Sequence, residues 1–165
     1  HYRSHSFPTR RSSDLLVYRI NNSIFSSRLP NFIKTPLLFA GLIIQKSMEI
    51  ITGISLPYSA EIGDFCYIGH FGGVIINPKA KIGENCNISQ GVTIGISGKG
   101  SKRGVPVIGN NVYIGVNVVV AGNISIGDHV VIASNSLVTR SIPSNKTVMG
   151  VPAEVISSIS NNTYI

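Results

Sequence analysis

Branched aliphatic residues recur along this chain at a spacing of six. Counting from Ile62 reaches Ile68 and Val74; from Ile82, Ile88 and Ile94; from Ile108, Ile114, Val120, Ile126, Ile132 and Val138. The residue after the anchor is often glycine (Gly63, Gly69, Gly83, Gly95, Gly109, Gly115, Gly127), and the fourth after it is mostly apolar or small, as at Cys66, Cys86, Val112, Val130 and Ile142. Such a period matches neither a lone helix, at about 3.6, nor a strand, at about 2, but it does match short strands joined by tight turns. A single coil of these strands cannot hide its own apolar side chains. Coils must stack, each pairing its backbone with the next around a shared aliphatic column. The pattern therefore predicts an all-β solenoid, a parallel β-helix of hexapeptide repeats, over residues 54–152. Glycine after the anchor fits a corner that needs positive φ or close backbone approach.

Between Leu16 and Gly53 the repeat is missing and Leu, Phe and Ile dominate. Thr35 as N-cap, Pro36 in the first turn and Gly53 as stop predict a helix over Leu37 to Thr52, within a helical N-terminal segment at 16–53. Its unbroken apolar run, Leu37 to Ile44, is eight residues long. That is far short of the roughly 20 needed to cross a bilayer, so no membrane span is expected. The stretch His5 to Leu15 (HSFPTRRSSDL) reads like a translated short-read sequencing adapter, so residues 1–15 are set apart from the fold. Without their charges the chain holds 11 basic against 6 acidic residues, a net +5 in place of +7.

A length of 165 residues with 43% hydrophobic and 13% charged content suits one compact domain. The basic excess suits an anionic small ligand as readily as nucleic acid, and the repeat lacks the aromatic platforms that nucleic-acid binding uses. No nucleic-acid partner is expected. Cys66 and Cys86 fall on inward positions, where thiols pack as small hydrophobes; reduced thiols point to a cytoplasmic location. Outside the first fifteen residues only His70 and His129 are available, too few for the three-histidine zinc site of a γ-class carbonic anhydrase. No metal is expected.

Two breaks in the repeat carry candidate chemistry. Between Val74 and Ile82 the phase slips by two, after Gly69-His70-Phe71-Gly72-Gly73. Between Ile94 and Ile108 the spacing is 14, which sends residues 96–107 out of the coil as a glycine-rich loop with Lys99, Lys102 and Arg103. That loop is either a solvated excursion or a lid over a phosphate-bearing or acidic ligand. His70 lies two places after an inward anchor and should point outward. An exposed imidazole is usually a surface residue, so periodicity alone does not make it catalytic.

The stretches AEIGDFCYIGHFGGVIIN, ISQGVTIG, IGNNVYIG and VMGVPAEVI carry a resemblance. Over Ile62 to Ile156 the chain resembles the C-terminal catalytic domain of serine O-acetyltransferases, within the hexapeptide-repeat acyltransferase superfamily; GHFGG and SQGVTIG also resemble capsule and surface-polysaccharide acetyltransferases. The resemblance implies a left-handed β-helix, a homotrimer with sites between subunits, and transfer of acetyl from acetyl-coenzyme A, a co-substrate, to a hydroxyl of serine or of a sugar. No permanently bound cofactor is implied. His70 matches the general base. Gly95 and the backbone around Gly115, Val116, Ala133 and Ser134 match the coenzyme site, while Lys99, Lys102 and Arg103 are candidates for its phosphates. The chain departs from the serine enzymes at three places: Ser55 and Gly69 stand where they carry aspartates beside the catalytic histidine, and Val105 where they carry a second histidine. The competing expectation is a non-catalytic trimeric β-helix, a scaffold or regulatory partner, marked by a silent His70 and no coenzyme site. The stretch Pro143 to Pro152 is expected to close the coils, leaving 153–165 as a tail.

Overall fold

The computed structural model describes residues 13–100 and 103–158. Strands of two to five residues form three sheets. Sheet A holds β1 (Ile54–Ser55), β4 (Val74–Ile76), β7 (Thr93–Gly95), β10 (Val119–Ala121) and β13 (Leu137–Val138). Sheet B holds β2 (Glu61–Ile62), β5 (Lys81–Ile82), β8 (Val107–Ile108) and β11 (Ser125–Ile126). Sheet C holds β3 (Tyr67–Ile68), β6 (Asn87–Ile88), β9 (Tyr113–Ile114), β12 (Val131–Ile132), β14 (Thr147–Gly150) and β15 (Ala153–Ser157). Successive strands pass from B to C to A, so each circuit is one coil of a left-handed parallel β-helix.

The anchors stack as the repeat requires. Ile62, Ile82, Ile108 and Ile126 form one column and Ile68, Ile88, Ile114 and Ile132 another, all buried. In sheet A the column is Ile76, Ile94, Val120 and Val138. This moves the phase slip. Ile68 pairs with Ile88 and Ile75 with Thr93, so the first coil uses six residues where the second uses four. The two extra residues therefore belong to the His70 corner itself and not to the segment after Val74. Val74 and Ile76 both point inward, two apart on one strand, and either fits the count. Ile142 likewise bridges to Ile126, so it is a sheet B anchor and the repeat is two residues short there.

Glycine and left-handed backbone occupy different corner positions. A Cβ on Gly63 would lie 2.5 Å from the carbonyl carbon of Gly83 in the next coil, so this position is glycine because stacked backbones approach closely. The positive φ falls two residues later, at Phe65, Asn85, Asn111 and His129, all between 53° and 57°. His129 is thus a corner residue, of a type that tolerates this conformation better than most.

Two helices close the first coil: α1 (Ser13–Ser26) and α2 (Asn31–Thr52). Helix α2 begins before Leu37, with Pro30 rather than Thr35 at its cap. Pro36 lies inside it, where a proline forfeits one backbone hydrogen bond, while the earlier start adds more than a turn of helix. Gly53 ends it as expected, at φ 70°, donating its N–H to Glu49 O at 2.8 Å. Residues 13–15, set apart by the sequence reading, belong to α1: Leu15 is in the core and Asp14 accepts the Thr52 hydroxyl at 2.7 Å. The helix pair is polar inside. Asn21 donates to Gly41 O at 3.1 Å and to Gln45 Oε1 at 3.2 Å, and Gln45 donates to Leu56 O at 2.8 Å. Phe32, Phe39, Ile50 and Ile51 face outward. At the other end, β15 folds back antiparallel on β14, so the expected tail begins as a strand. No described helix is long and apolar enough to cross a membrane.

Candidate active site

His70 sits at the corner between sheets C and A in the first coil, on the two-residue insertion, and is exposed. Among the described residues nothing hydrogen-bonds its ring. Gly69 before it is in contact range of Tyr67: a Cβ there would meet the ring at 3.0 Å. Gly72 after it has φ 99° and open space where a side chain would be. Phe71, four-fifths exposed, stands beside the histidine.

The same corner continues through the later coils. Gln90 occupies it in the second, Gly115 and Val116 in the third, Ala133 and Ser134 in the fourth. At about 4.8 Å per coil the column from the first to the fourth rises roughly 14 Å. Its hydrogen bonds are regular: Val116 N donates to Ser134 Oγ at 3.2 Å, Asn135 N to Val116 O at 2.8 Å and Ala133 N to Val148 O at 2.9 Å. Gln90 was not singled out by sequence reasoning. Its Oε1 is buried without a hydrogen-bond partner among the described residues. The signal available was a long amide at a corner whose neighbours are small.

The other candidates lie across sheet A. Gly95 ends β7, and the excursion leaves from there toward sheet B. It is closed at its base by Ser97 and Gly104, each donating its N–H to the other's carbonyl at 3.1 and 3.0 Å. Lys99 and Arg103 are exposed on it; Lys102 lies outside the described residues. Within one protomer the loop and His70 are therefore at different corners, separated by a three-residue strand, about 10 Å. His70 shares its corner column with Gly115, Val116, Ala133 and Ser134, about 10 to 14 Å above it, whereas Gly95, Lys99 and Arg103 lie at the opposite edge of sheet A. Ser55 pairs with Ile75 in sheet A, and Val105 packs against the core.

The cysteines are away from this corner. Burial pushes the Cys66 thiol up to about 12, helped by nearby Cys86; burial pushes Cys86 up to about 11, partly offset by a backbone hydrogen bond. Both are free thiols. Protonated at neutral pH, they are poor nucleophiles. Among the described residues no cluster of His, Cys, Asp and Glu could hold a metal ion.

Comparison with known proteins gives this geometry a context. Residues 106–140 match the bacterial transferase hexapeptide family (six repeats). The serine acetyltransferase of Synechococcus elongatus is 37% identical over 142 residues, 86% of this chain and 55% of that relative. The serine acetyltransferase of Brucella abortus strain S19, solved with coenzyme A, superposes with a TM-score of 0.72 at 29% identity, over 88% of this chain and 55% of that one. The Neisseria gonorrhoeae serine acetyltransferase, solved with serine, gives 0.71 at 29% identity, over 87% and 55%. The chain spans about half the length of the relatives it matches.

Proposed function

This chain is a serine O-acetyltransferase-like member of the hexapeptide-repeat superfamily, and from that premise we propose that it moves acetyl from acetyl-coenzyme A to a hydroxyl of serine or of a sugar. The observation that carries the proposal is the column at the C-to-A corner: one exposed imidazole at its foot, and the short side chains of Gly115, Val116, Ala133 and Ser134 above it. An alcohol is a weak nucleophile near neutral pH, and a base that takes its proton during attack contributes about 10²- to 10⁴-fold. His70 is that base. The extended pantetheine arm of the donor runs along the column, its thioester at the foot. A backbone N–H or a group from a neighbouring protomer meets the developing oxyanion.

The split between two corners is resolved by assembly. In a homotrimer the loop of one protomer reaches the His70 corner of the next. Lys99, Lys102 and Arg103 then meet the coenzyme's phosphates, and Gly95 lets the chain turn out toward them. A cytoplasmic location fits an enzyme that draws on acetyl-coenzyme A.

Thiol release from acetyl-coenzyme A, followed with the purified protein and a set of hydroxyl acceptors, tests the reading. Release that requires both acetyl-coenzyme A and an acceptor is the expected result. A well-formed trimer that binds no coenzyme A and releases no thiol with any acceptor would favour the scaffold reading instead.

A further inference from the structure

The amphipathic pattern of helix α2 is reversed. The side turned to α1 is small and polar: Gly41 O and Gln45 Oε1 accept from Asn21, and Thr52 donates to Asp14, with Gly41, Gln45 and Thr52 buried. The side turned to solvent is apolar. At about 100° per residue, Phe32, Phe39, Ile43 and Ile50 fall in one stripe about 40° wide, and Ile33, Leu37, Ile44 and Ile51 form a second beside it. Exposure among these eight runs from 39% at Ile33 to 86% at Ile50. Together they leave on the order of 900 Å² open, above the ~300–600 Å² usual for the largest apolar patch of a monomer and close to the ~800 Å² that one partner brings to a standard interface.

The first stripe is complementary to itself. Phe32, Phe39, Ile43 and Ile50 occupy the a and d positions of a heptad that Pro36 and Lys46 complete, and their spacing reads the same from either end. Turned antiparallel about a two-fold axis at residue 41, Phe39 lies opposite Ile43 and Phe32 opposite Ile50, each ring against a smaller side chain. No like charges meet. Lys46, the one charged residue among the exposed positions of α2, falls opposite Pro36, and its two copies are about 15 Å apart, beyond the ~8 Å screening length. Other occupants fit less well. A bilayer surface favours a helix flanked by many cations, whereas this lysine is already paired with Glu49 at 2.7 Å. Residues 1–12 offer Tyr2 and Phe7 as large apolar groups, too few for so wide a face.

We infer that α2 is a self-association surface: two copies of this chain pair antiparallel through Phe32, Phe39, Ile43 and Ile50, about a two-fold axis at residue 41. Such a contact is isologous and closes on itself, so both stripes are covered and no second face is left open. The stripe belongs to the helical cap and not to sheets A, B or C. The pairing therefore doubles whatever number of protomers the solenoid faces join.

The experiment measures mass in solution by light scattering for the full chain and for Phe39→Glu/Ile43→Glu, with circular dichroism to check the fold. Both substitutions are on exposed positions, more than two turns before Thr52, whose carbonyl accepts the Gly72 N–H at 2.8 Å beside the His70 corner. The folded double variant is expected at half the parent's mass. In a second arm, Ala40→Cys stands one residue from the axis and should link two copies by a disulfide on mild oxidation, whereas the copies of Ser47→Cys lie about 18 Å apart and should not link. The native thiols, buried and protonated, do not compete. A folded double variant with the parent's mass, or no link through Ala40→Cys, would overturn the inference. So would a parent that sediments with phosphatidylglycerol vesicles while the double variant does not, at equal mass; that result would assign the face to a membrane surface.

Discussion

Tyr18 donates its hydroxyl to the carbonyl oxygen of Ala60 at 2.7 Å, across 42 residues of sequence, and its phenol oxygen in turn accepts the N–H of Ile62 at 3.1 Å. One phenol on α1 thus finishes the open edge of the first coil, where β2 is the edge of sheet B among the described strands. Arg19, next on the helix, donates to Ile62 O and Gly63 O. The helix pair is a cap on the solenoid, built from side-chain hydrogen bonds in place of a ladder.

Removing that hydroxyl should be felt globally. Tyr18→Phe strands the buried Ile62 N–H, and the expected loss is about 1–3 kcal/mol in urea unfolding. A variant with the parent's midpoint would show that the cap contributes nothing to the coil.

Phe65 holds φ 57° with its ring four-fifths exposed, at the corner position where Asn85, Asn111 and Asn145 stand in other coils. Asparagine enters the left-handed region at lower cost than a bulky residue. Phe65→Asn should therefore stabilise the protein, by about 0.5–1 kcal/mol, and raise Tm by a few degrees. A fall in Tm would mean the exposed ring makes a contact worth more than the strain.

The two thiols set a pH dependence whose sign is fixed by their burial. Unfolded, they lose their protons near the ordinary 9.0; folded, Cys86 holds its proton to about 11 and Cys66 to about 12. Between those limits the unfolded state binds fewer protons, so stability falls as pH rises, whereas below about 9 the thiols contribute no slope. Burial of Tyr18 raises its phenol above 10.0 and adds to the same decline. Thermal melts from pH 7 to 11 should show the loss beginning near 9, and Cys66→Ala/Cys86→Ala should shallow it. A variant as steep as the parent would assign the decline elsewhere.

If a site takes its imidazole from one protomer and its loop from the next, two inactive variants should complement. His70→Ala alone and Lys99→Glu/Arg103→Glu alone are each expected to be inactive. Co-refolded in equal amounts, they should regain activity at roughly a quarter of the sites, because a heterologous three-fold interface pairs each corner with a neighbour's loop. No recovery in mixed trimers would place loop and histidine in independent roles.

Much of this architecture could be read directly from the chain. A six-residue period of branched aliphatics has few structural solutions, and the columns through Ile62, Ile68 and their successors follow from it. Register at the His70 corner could not be read, because Val74 and Ile76 are equally apolar and both inward; only strand pairing separates them. The start of α2 differs as well: Thr35-Pro36 is a sound local cap signal, but the helix is already under way from Asn31 behind Pro30, so both residues lie inside it. At the site, His70 stood out as an interruption of the repeat. Gln90 did not, since its meaning lies in an oxygen that no neighbour satisfies.

The proton-transfer role of His70 is tested most directly by the single-turnover rate of thiol release in His70→Gln, with coenzyme A affinity measured on the same preparation. The account predicts a rate at least about 100-fold below the parent with affinity unchanged. A variant that binds coenzyme A normally and turns over within a few-fold of the parent would contradict it.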